Sequence, residues 1–436
     1  MERTVRVAFH TLGCKVNQQE TAAIEAAFVD RGCAICPFDS VVDVYVINSC
    51  VVTAQAERKS RGMVRRIRSR APNSLIVLAG CFPQVAGEAA QDTGADILVG
   101  SNDKAKIVDL VMNSLQGAEK QALLVSPLGD GVKFERISPG IESDRTRAFL
   151  KVQDGCEQFC AYCIIPFARG PERSLPMDEV VERAQQLVAR GYHEIVLTGI
   201  HLGAYGRDLS QRGGLAGLAK QILRHTDLLR LRFGSLEPND IDACLIALMK
   251  ESERICRHLH IPLQSGCDRT LRRMGRRYTT GQYSDLIQTL RSELPLIGIT
   301  TDIIAGFPGE TDEDHMQSEA FLREVAPLRS HVFRYSLRTG TPAAEMTGQI
   351  PETVKAQRAV RLVEVASECA VVGHKGYIGQ TLRVLIEGHA EGVLSGHSSE
   401  YVYVSCDGPA ELSGSVVSVH ILSSDEKGVY GRLVQE

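Results

Sequence analysis

Short apolar runs alternate with stretches of helical periodicity along the first hundred residues. In the stretch 20–30, Ile24 and Phe28 lie one helical turn apart, as the apolar face of a helix requires. The apolar runs are rich in Val and Ile and predict four strands, at 5–9, 41–48, 75–79 and 97–100. Because helices separate these strands, the segment predicts a parallel sheet, which a helix over 103–115 completes.

From residue 148 the same alternation resumes with a longer period. Helical stretches such as 176–189 separate six apolar runs, which lie at 148–153, 194–198, 231–236, 258–263, 300–305 and 332–337. Six consecutive βα units predict an incomplete (βα)6 barrel, with its chemistry at the carboxyl ends of the strands. A doubly wound open sheet is the alternative fold for such a series.

Beyond the helical stretch 352–369 the pattern changes to a period of two. Apolar residues recur at alternate positions near Leu382, Val402 and Val417, and glycines interrupt the runs, which predicts a small antiparallel β-barrel. The predicted fold class is therefore α/β with this barrel at the carboxyl end. The predicted parts are a parallel-sheet domain, a linker rich in Gly, Ser and Pro, a partial barrel and the small barrel, at 1–118, 119–145, 146–370 and 371–436.

Composition narrows the class of protein. With 44% hydrophobic and 23% charged residues in 436, the chain resembles a globular protein of two or three domains, which excludes a disordered tail or a coiled coil. The net charge of −4 gives no basic field over the whole molecule, so any nucleic-acid site must be local. We find neither a run of about eighteen uncharged apolar residues nor a signal-peptide pattern, which predicts a cytoplasmic protein without a membrane partner.

Thirteen cysteines in a reducing compartment indicate metal or cluster ligands rather than disulfides. Cys156, Cys160 and Cys163 form a CxxxCxxC motif on the loop after the first predicted barrel strand. Three close thiolates suit an iron–sulfur cluster or zinc. A 4Fe–4S cluster has four irons, so three protein ligands leave one iron open for another ligand. A structural zinc loop with a distant fourth ligand is the alternative.

This spacing resembles that of the radical S-adenosylmethionine (SAM) superfamily, and the aromatic Tyr162 before the last cysteine fits it as well. The resemblance implies that the open iron binds the amino and carboxylate groups of SAM. It also implies that the cluster supplies the electron that cleaves SAM to a 5′-deoxyadenosyl radical. The superfamily places SAM contacts at strand ends, which points to Tyr162, Thr198, Gly199, Glu237, Gln264, Ser265 and Gly306. Alternatively, Glu237 simply ends a strand and Gly306 forms only a turn.

Three more cysteines each follow a predicted strand of the first domain: Cys14 the first, Cys50 the second and Cys81 the third. Neighbouring parallel strands lie about 4.8 Å apart, so their carboxyl ends bring these cysteines into one crevice. For any one of them, a buried structural role is the ordinary explanation. The same placement three times instead predicts a second cluster, again without an evident fourth ligand.

The two sets of cysteines together resemble the methylthiotransferase family. The resemblance lies in residues 11–18, Thr-Leu-Gly-Cys-Lys-Val-Asn-Gln, in Cys50 and Cys81, and in residues 154–170, which end in Ile-Pro-Phe-Ala-Arg-Gly. The form Gly-Cys-Lys-Val-Asn resembles the branch, called the MtaB type, that acts on N6-threonylcarbamoyladenosine in tRNA. The resemblance covers nearly the whole chain. It implies an amino-terminal methylthiotransferase domain, a radical SAM barrel and a terminal RNA-binding TRAM domain.

The resemblance implies a radical SAM enzyme that converts this adenosine, next to the anticodon, to its 2-methylthio derivative. Its cofactors would be two 4Fe–4S clusters and SAM, with Cys14, Cys50 and Cys81 holding the cluster that carries the sulfur. SAM would serve as methyl donor and radical source, because no side-chain base can deprotonate the unactivated carbon 2 of a purine. The implied partners are tRNA, an electron donor such as flavodoxin or ferredoxin, and a sulfur source.

Local basic clusters predict the tRNA-binding surface. Residues 58–70 hold seven basic residues and no acidic one, shortly after Cys50, and a second basic cluster lies at 272–277. The predicted RNA contacts are Arg58, Arg61, Arg65, Arg68, Arg272 and Arg276. The terminal barrel has four basic and eight acidic residues, which departs from a basic TRAM domain, so we expect Tyr401 or Tyr403 to stack on unpaired bases there.

Two other functions fit parts of the pattern. One branch of the methylthiotransferases modifies an aspartate of a ribosomal protein, but the basic stretch 58–70 and the Lys15-Val16 form argue against that branch. A noncatalytic iron–sulfur electron carrier or RNA-binding scaffold is the alternative from another class of protein. Release of 5′-deoxyadenosine from SAM under reducing conditions would separate the enzyme from a carrier or scaffold.

Overall fold

The computed structural model describes residues 4–117, 122–129, 131–137, 146–209 and 213–434. Its elements fall into three successive units, two built on parallel strands and one on a closed barrel. Within these residues, no helix combines the length and the apolar character that crossing a membrane would need.

The first unit is a six-stranded parallel sheet. Its strands are β1 (Arg6–Thr11), β2 (Ala34–Ile35), β3 (Val44–Ser49), β4 (Leu75–Gly80), β5 (Ile97–Val99) and β6 (Ala122–Leu124). Its helices are α1 (Lys15–Asp30), α2 (Ala54–Arg70), α3 (Cys81–Ala86) and α4 (Ile107–Leu115). The strands lie in the order β2-β1-β3-β4-β5-β6, so the direction of winding changes between β1 and β3.

The four predicted strands of this sheet are confirmed, and two short ones join them. Strands β2 and β6 are two and three residues long, too short for an apolar run to stand out in the sequence. Strand β6 lies within the predicted linker 119–145 and extends the sheet by one strand.

Apolar residues cover both faces of the first sheet, and β3 and β4 are buried along their whole length. Phe28 of α1 and Val111 of α4 pack on one face. Val64 of α2 and Phe82 of α3 pack on the other. A strand buried on both faces reads as a continuous apolar run, which is why the sequence pattern revealed these strands.

The second unit contains the six predicted parallel strands of the partial barrel. Its strands are β7 (Arg147–Lys151), β8 (Gln153–Asp154), β9 (Arg173–Ser174), β10 (Glu194–Thr198), β11 (Arg230–Phe233), β12 (His258–His260), β13 (Gly298–Ala305) and β14 (Arg329–Arg334). Its helices are α5 (Ile165–Arg169), α6 (Met177–Ala189), α7 (Gly214–His225), α8 (Ala243–Glu251), α9 (Asp268–Arg273), α10 (Thr280–Glu293), α11 (Asp312–Val325), α12 (Pro342–Glu345) and α13 (Glu352–Lys375). Strands β8 and β9 form a separate short antiparallel pair.

The order of the six parallel strands decides between the two predicted folds. They follow one another as β7-β10-β11 and β12-β13-β14, and the bridges Leu231–Ile255 and Ser235–His260 join the two halves. A doubly wound sheet would reverse its winding part-way. The sequential order therefore confirms the incomplete barrel.

The third unit is a closed five-stranded barrel in the order β15-β16-β17-β19-β18, with strands β15 (Thr381–Ala390), β16 (Val393–Ser398), β17 (Tyr403–Asp407), β18 (Val416–Ser424) and β19 (Val429–Leu433). Alternate residues such as Leu382, Val384 and Ile386 fill its core. Four of its strand pairs are antiparallel, as predicted, whereas β17 and β19 pair in parallel. The closed barrel is confirmed, and its description as antiparallel is corrected at this one pair.

This small barrel closes the amino-terminal end of the second unit. Arg230 and Arg232, on β11, donate to the carbonyl of Ser398 over 2.9 and 3.0 Å. The carboxylate of Glu194, buried at the start of β10, lies 2.7 Å from Arg230 and 2.8 Å from Arg232. Since the chemistry of such barrels lies at the opposite strand ends, the small barrel forms the floor of the interior.

Candidate active site

The first cysteine triad, Cys14, Cys50 and Cys81, lies at the carboxyl ends of three neighbouring strands. Cys50 directly follows β3, and Cys81 directly follows β4 as the first residue of α3. Gly13 has a φ of +106°, and a Cβ atom added there would lie 2.9 Å from Sγ of Cys50, so only glycine permits this approach. The triad lies where the winding of the sheet changes direction, the usual ligand site of such sheets.

The thiols of the first triad interact electrostatically. Burial and the neighbouring Cys81 raise the pKa of Cys50 to about 11. Burial also raises the pKa of Cys14, and Cys81 adds to the shift while Arg169 opposes it. Thiols this close resist ionisation unless a bound cation compensates the thiolate charge. The donor set therefore fits a metal cluster.

Arg169, the last residue of α5, reaches two members of this triad. Its Nε donates to Sγ of Cys81 over 3.3 Å, and its Nη2 donates to Oδ1 of Asn17 over 2.5 Å. The same Oδ1 accepts from Sγ of Cys14 at 3.8 Å. Because the guanidinium is completely buried, these partners replace water. Arg169 thus positions Cys81 directly and Cys14 through Asn17.

A buried ion network connects Arg169 with the second cysteine loop. Its Nη1 donates to Glu20 over 2.6 Å and lies 3.3 Å from Asp154, which stands two residues before Cys156. Lys151 completes the network, with Nζ 2.7 Å from Glu20 and 2.6 Å from Asp154. Although burial favours the neutral acid, Arg169 and two lysines hold the pKa of Glu20 well below its usual range.

The second triad, Cys156, Cys160 and Cys163, is held on the loop after β8 by backbone hydrogen bonds. The amide of Cys156 donates to the carbonyl of Gly170 over 3.0 Å, and that of Cys163 to the carbonyl of Cys160 over 2.9 Å. Burial raises the pKa of Cys163 to about 12, and the other two thiols add to the shift. The three thiols therefore share one site, as in the first triad.

Arg276 lies beside the second triad and not on the RNA surface predicted for it. Its side chain is 4% exposed and forms an ion pair with Glu237. Its Nη1 donates to Sγ of Cys160 over 3.3 Å, and its guanidinium stacks 5.0 Å from the ring centroid of Tyr278. The assignment of Arg276 to RNA is therefore corrected, because its donors are occupied inside the protein. Glu237, a predicted SAM contact, is its half-buried partner.

His201, which follows β10, contributes a second cation near this triad. Its Nδ1 lies 2.7 Å from Glu172 and its Nε2 2.7 Å from Asp240. Although burial disfavours the imidazolium, hydrogen bonds with Asp240, Cys156 and Glu172 raise the pKa of His201 to about 11. A positive charge therefore lies next to Cys156, as Arg276 lies next to Cys160.

A cavity of about 840 Å³ extends from the first triad to the floor of the barrel; its lining includes Cys14, Lys15, Phe149, Thr198, Gly199, Arg232, His260, Asp302, His331, Phe333 and Tyr401. A smaller cavity of about 200 Å³ shares Asp302 and Phe333 with it and is also lined by Val52, Tyr162 and Gln264. Cys14 of the first triad therefore borders the larger cavity, and Tyr162, the residue before Cys163 of the second triad, borders the smaller cavity beside it.

The predicted SAM contacts divide into those that line this space and those that do not. Thr198 and Gly199 line the larger cavity, and Tyr162 and Gln264 line the smaller one. The buried Oγ1 of Thr198 has no hydrogen-bond partner in the described part of the chain, which suits a bound ligand.

The other three predicted contacts line neither cavity: Glu237 is the partner of Arg276, and Ser265 and Gly306 are bound inside the protein. The Oγ of Ser265 lies 3.3 Å from that of Ser318, and the amide of Gly306 donates to Glu310 over 3.1 Å. Ser265 and Gly306 therefore support the wall of the barrel and do not line either cavity.

Sequence reasoning missed a polar cluster in the larger cavity. His260 lies 3.2 Å from one oxygen of Asp302, and His331 lies 3.1 Å from the other. Although burial opposes ionisation, these hydrogen bonds hold the pKa of Asp302 well below its usual range. The three residues lie on the neighbouring strands β12, β13 and β14. The only sequence signal for the cluster is that each residue stands at a position of its strand that faces the barrel interior.

Two family models match the chain: the radical SAM superfamily at residues 150–322 and the uncharacterized protein family UPF0004 at residues 6–100. The threonylcarbamoyladenosine tRNA methylthiotransferase MtaB of Bacillus subtilis is 39% identical, over 99% of this chain and 97% of the relative. The protein of the same name from Thermotoga maritima is 40% identical, over 98% of this chain and 96% of the relative. The chain belongs to the methylthiotransferase family, in its MtaB branch. Radical SAM membership implies SAM and a 4Fe–4S cluster as cofactors of this methylthiotransferase.

A more distant relative and one solved structure also match the chain. The tRNA-2-methylthio-N6-dimethylallyladenosine synthase of Clostridium perfringens is 32% identical to the methylthiotransferase, over 98% of this chain and 97% of the relative. Among solved structures, the radical SAM methyltransferase TsrM of Kitasatospora setae matches with a TM-score of 0.58 at 15% identity, covering 90% of this chain and 81% of TsrM. The likeness to TsrM shows the fold alone.

In the methylthiotransferase, the basic residues of α2 serve two different purposes. Arg58 and Arg65 are exposed, and no ion pair to either is found among the described residues. Arg68 forms an ion pair of 2.7 Å with Asp96 and also donates to backbone carbonyls. Arg61 lies 4.8 Å from the ring centroid of Phe82. Arg61 and Arg68 therefore also have partners within the protein, whereas Arg58 and Arg65 face solvent; RNA contact by any of the four stays a prediction.

Arg272 and the two tyrosines of the small barrel also divide into side chains that face solvent and one that has partners inside the protein. Arg272 is exposed, and Tyr403 is 41% exposed. Tyr401 stacks between His258 and His397, with centroids at 4.5 and 4.8 Å, inside the larger cavity. Both faces of Tyr401 are occupied, so of the two only Tyr403 is available to a base on the surface.

Proposed function

We propose that the protein transfers a methylthio group to carbon 2 of N6-threonylcarbamoyladenosine, next to the anticodon in tRNA. The observation that carries the proposal is that Cys14 of the first triad lines the larger cavity, while Tyr162, next to Cys163 of the second triad, lines the smaller cavity, which shares Asp302 and Phe333 with the larger one. A purine carbon has to reach both triads in one reaction, and only a shared space permits that. The substrate follows the relatives named for this nucleoside at 39–40% identity.

In this proposal each triad holds a 4Fe–4S cluster. Cys156, Cys160 and Cys163 ligate the cluster that binds SAM, and Cys14, Cys50 and Cys81 ligate the second. When bound, these groups supply the radical and sulfur chemistry that protein side chains lack. The chain itself contributes hydrogen bonds to ligand sulfurs, because Arg276 donates to Cys160 and Arg169 to Cys81. Such donors orient the ligands and stabilise thiolate charge.

We assign SAM to the region between the two cavities. Tyr162 and Gln264 line one side of that region, and Thr198 and Gly199 line the other. Gly199 leaves no room for a side chain, since an added Cβ would lie 2.9 Å from the amide oxygen of Gln153. Glu237 acts through Arg276, and Ser265 and Gly306 act by shaping the wall.

We assign tRNA phosphates to the exposed basic face of α2. Arg58, Lys59, Arg65 and Arg66 are exposed along a helix that begins four residues after Cys50. Val52 and Thr53, which precede this helix, line the smaller cavity, so cations along the helix suit a polyanion whose base enters the cavity. Arg272 adds an exposed cation on the second unit. The remaining partners are an electron donor such as flavodoxin or ferredoxin and a sulfur source, and the protein acts in the cytoplasm.

Mass spectrometry of tRNA nucleosides tests the proposal. Cells that lack the protein should contain N6-threonylcarbamoyladenosine without its 2-methylthio derivative, and the wild-type chain should restore the derivative. Cys50→Ala should fail to restore it, because the second cluster loses a ligand. Cys244→Ala, which changes an exposed cysteine outside both triads, is the matched control and should restore it fully. Persistence of the derivative in cells without the protein refutes the proposed function.

A further inference from the structure

The larger cavity is lined by the cations Arg147, Arg232 and Lys15 and by the carboxylates of Asp302 and Glu387. Arg147 forms an ion pair with Glu387, and Arg232 lies 2.8 Å from Glu194. The ammonium of Lys15 projects into the same cavity, and its closest ring contact is Phe149, 6.0 Å from the centroid. We find no ion pair to Lys15 within the described ranges, so it is the cavity cation without a carboxylate partner.

Burial, and then the nearby cations, lower the pKa of two neighbouring imidazoles, His397 and His258. Burial, Arg147 and Arg232 lower the pKa of His397 to about 3. Burial and Arg232 also hold the pKa of His258 well below its usual range, and Lys15 adds to the effect. Neutral imidazoles carry no charge that would bind an anion. An anion in the cavity would therefore pair with Lys15, the cation that has no carboxylate partner.

The two tRNA substrates named for the relatives differ in the charge of the N6 substituent. A threonylcarbamoyl group carries a carboxylate and a hydroxyl, whereas a dimethylallyl group is a hydrocarbon. A carboxylate enters a protein cavity only where a cation or several donors receive it. The cavity of a protein acting on threonylcarbamoyladenosine therefore needs a cation that is not already paired.

The position of Lys15 suits this task. It directly follows Cys14 and begins α1. Carbon 2 and carbon 6, which bears the N6 substituent, lie in the same six-membered ring with only N1 between them, so a carbon 2 that reaches the first triad brings the substituent close to it. We propose that Lys15 binds the carboxylate of the threonylcarbamoyl group and selects this substrate over adenosines with an uncharged N6 substituent. This inference rests on the proposed function.

Two anticodon stem-loop RNAs test the inference. One carries threonylcarbamoyladenosine, and the other carries its amide, in which the carboxylate is neutral. The wild type should prefer the carboxylate RNA by about 10- to 100-fold in kcat/KM, the range expected for a hydrogen bond between charged groups in a cavity. Lys15→Gln should remove this preference by losing activity on the carboxylate RNA, and Lys15→Arg should retain most of it.

Lys250→Gln is the matched control, because it removes the same charge from an exposed ion pair with Glu293. It should keep the full preference. The equilibrium affinity of each variant for the two RNAs gives a second readout, in which Lys15→Gln should again bind both alike, whatever its turnover.

The outcomes separate the two proposals. An undiminished preference for the carboxylate RNA in Lys15→Gln overturns the inference. So does a loss of SAM cleavage without RNA in that variant, since Lys15 would then serve the carboxylate of SAM. A wild type that methylthiolates neither RNA refutes the proposed function instead.

Discussion

Arg169 donates a hydrogen bond from Nε to Sγ of Cys81 across 3.3 Å, and its Nη1 lies 3.3 Å from Asp154. One buried side chain therefore touches the first triad and the loop that carries the second. Hydrogen bonds to ligand sulfurs tune the reduction potential of a cluster, and a donor favours the more negative, reduced state.

Replacing Arg169 should lower the reduction potential of the cluster proposed for the first triad. We expect Arg169→Gln to shift it to a more negative value, as measured by redox titration with electron paramagnetic resonance. The titration uses a chain in which Cys156, Cys160 and Cys163 are alanine, so that only the first cluster contributes. The free energy of unfolding should fall by about 3–5 kcal/mol, because Glu20 and Asp154 lose a buried cation.

Arg173→Gln is the control for this experiment. Arg173 lies 3.4 Å from Asp154 in the same network, and the contacts found for it do not include Cys81. Arg173→Gln should lower the free energy of unfolding without changing the reduction potential of the cluster. Equal potentials in Arg169→Gln and Arg173→Gln would show that the hydrogen bond to Cys81 has no electrostatic effect on the cluster.

Glu194 should make the junction with the small barrel dependent on pH. Although burial opposes ionisation, Arg232, Arg230 and Arg147 hold the pKa of this carboxyl well below its usual range. A depressed pKa contributes stability that is present above the unfolded value of about 4.3 and is lost as the pH falls below it. Glu194→Gln should therefore lower the free energy of unfolding by about 3–5 kcal/mol at pH 7.

The difference between wild type and Glu194→Gln should stay constant from pH 7 to about 5 and shrink below about 4.3. Denaturant titrations at each pH measure it. Glu293→Gln breaks the exposed ion pair with Lys250 and should cost at most about 1 kcal/mol. A difference for Glu194→Gln that grows as the pH falls would contradict the depressed pKa.

The exposed face of α2 should control the salt dependence of tRNA binding. Changing Arg58, Arg65 and Arg66 to Gln should flatten the slope of log affinity against log salt by about two to three units, nearly one for each phosphate contact. Arg68→Gln removes a cation whose partner is Asp96, so it should lower stability and leave the slope unchanged. Equal slopes for wild type and the triple variant would place the tRNA elsewhere.

The sequence predicted the elements whose hydrophobic pattern is complete within a short stretch of the chain. The βα series and its six barrel strands were predictable because strands buried in a parallel sheet form continuous apolar runs. The first cysteine triad was located for the same reason, since each of its cysteines follows such a run, whereas the second was located by its CxxxCxxC spacing. Strands β2 and β6 were not predictable, because two or three residues carry no period.

Contacts between distant parts of the chain were not predictable from local patterns. Arg276 and Arg68 look like solvated basic residues in the sequence, but each finds a partner brought to it by the fold, Cys160 and Asp96. The network around Arg169 joins α1 to the second cysteine loop, and no sequence period relates the two.

The iron content of the anaerobically reconstituted chain tests most directly whether each triad holds a four-iron cluster. The wild type and the control Cys244→Ala should bind roughly eight irons per chain. Replacing Cys14, Cys50 and Cys81 together by alanine should leave roughly four, because the second triad keeps its cluster. A triple variant that is folded and still binds the full wild-type amount of iron would contradict a cluster at the three strand ends.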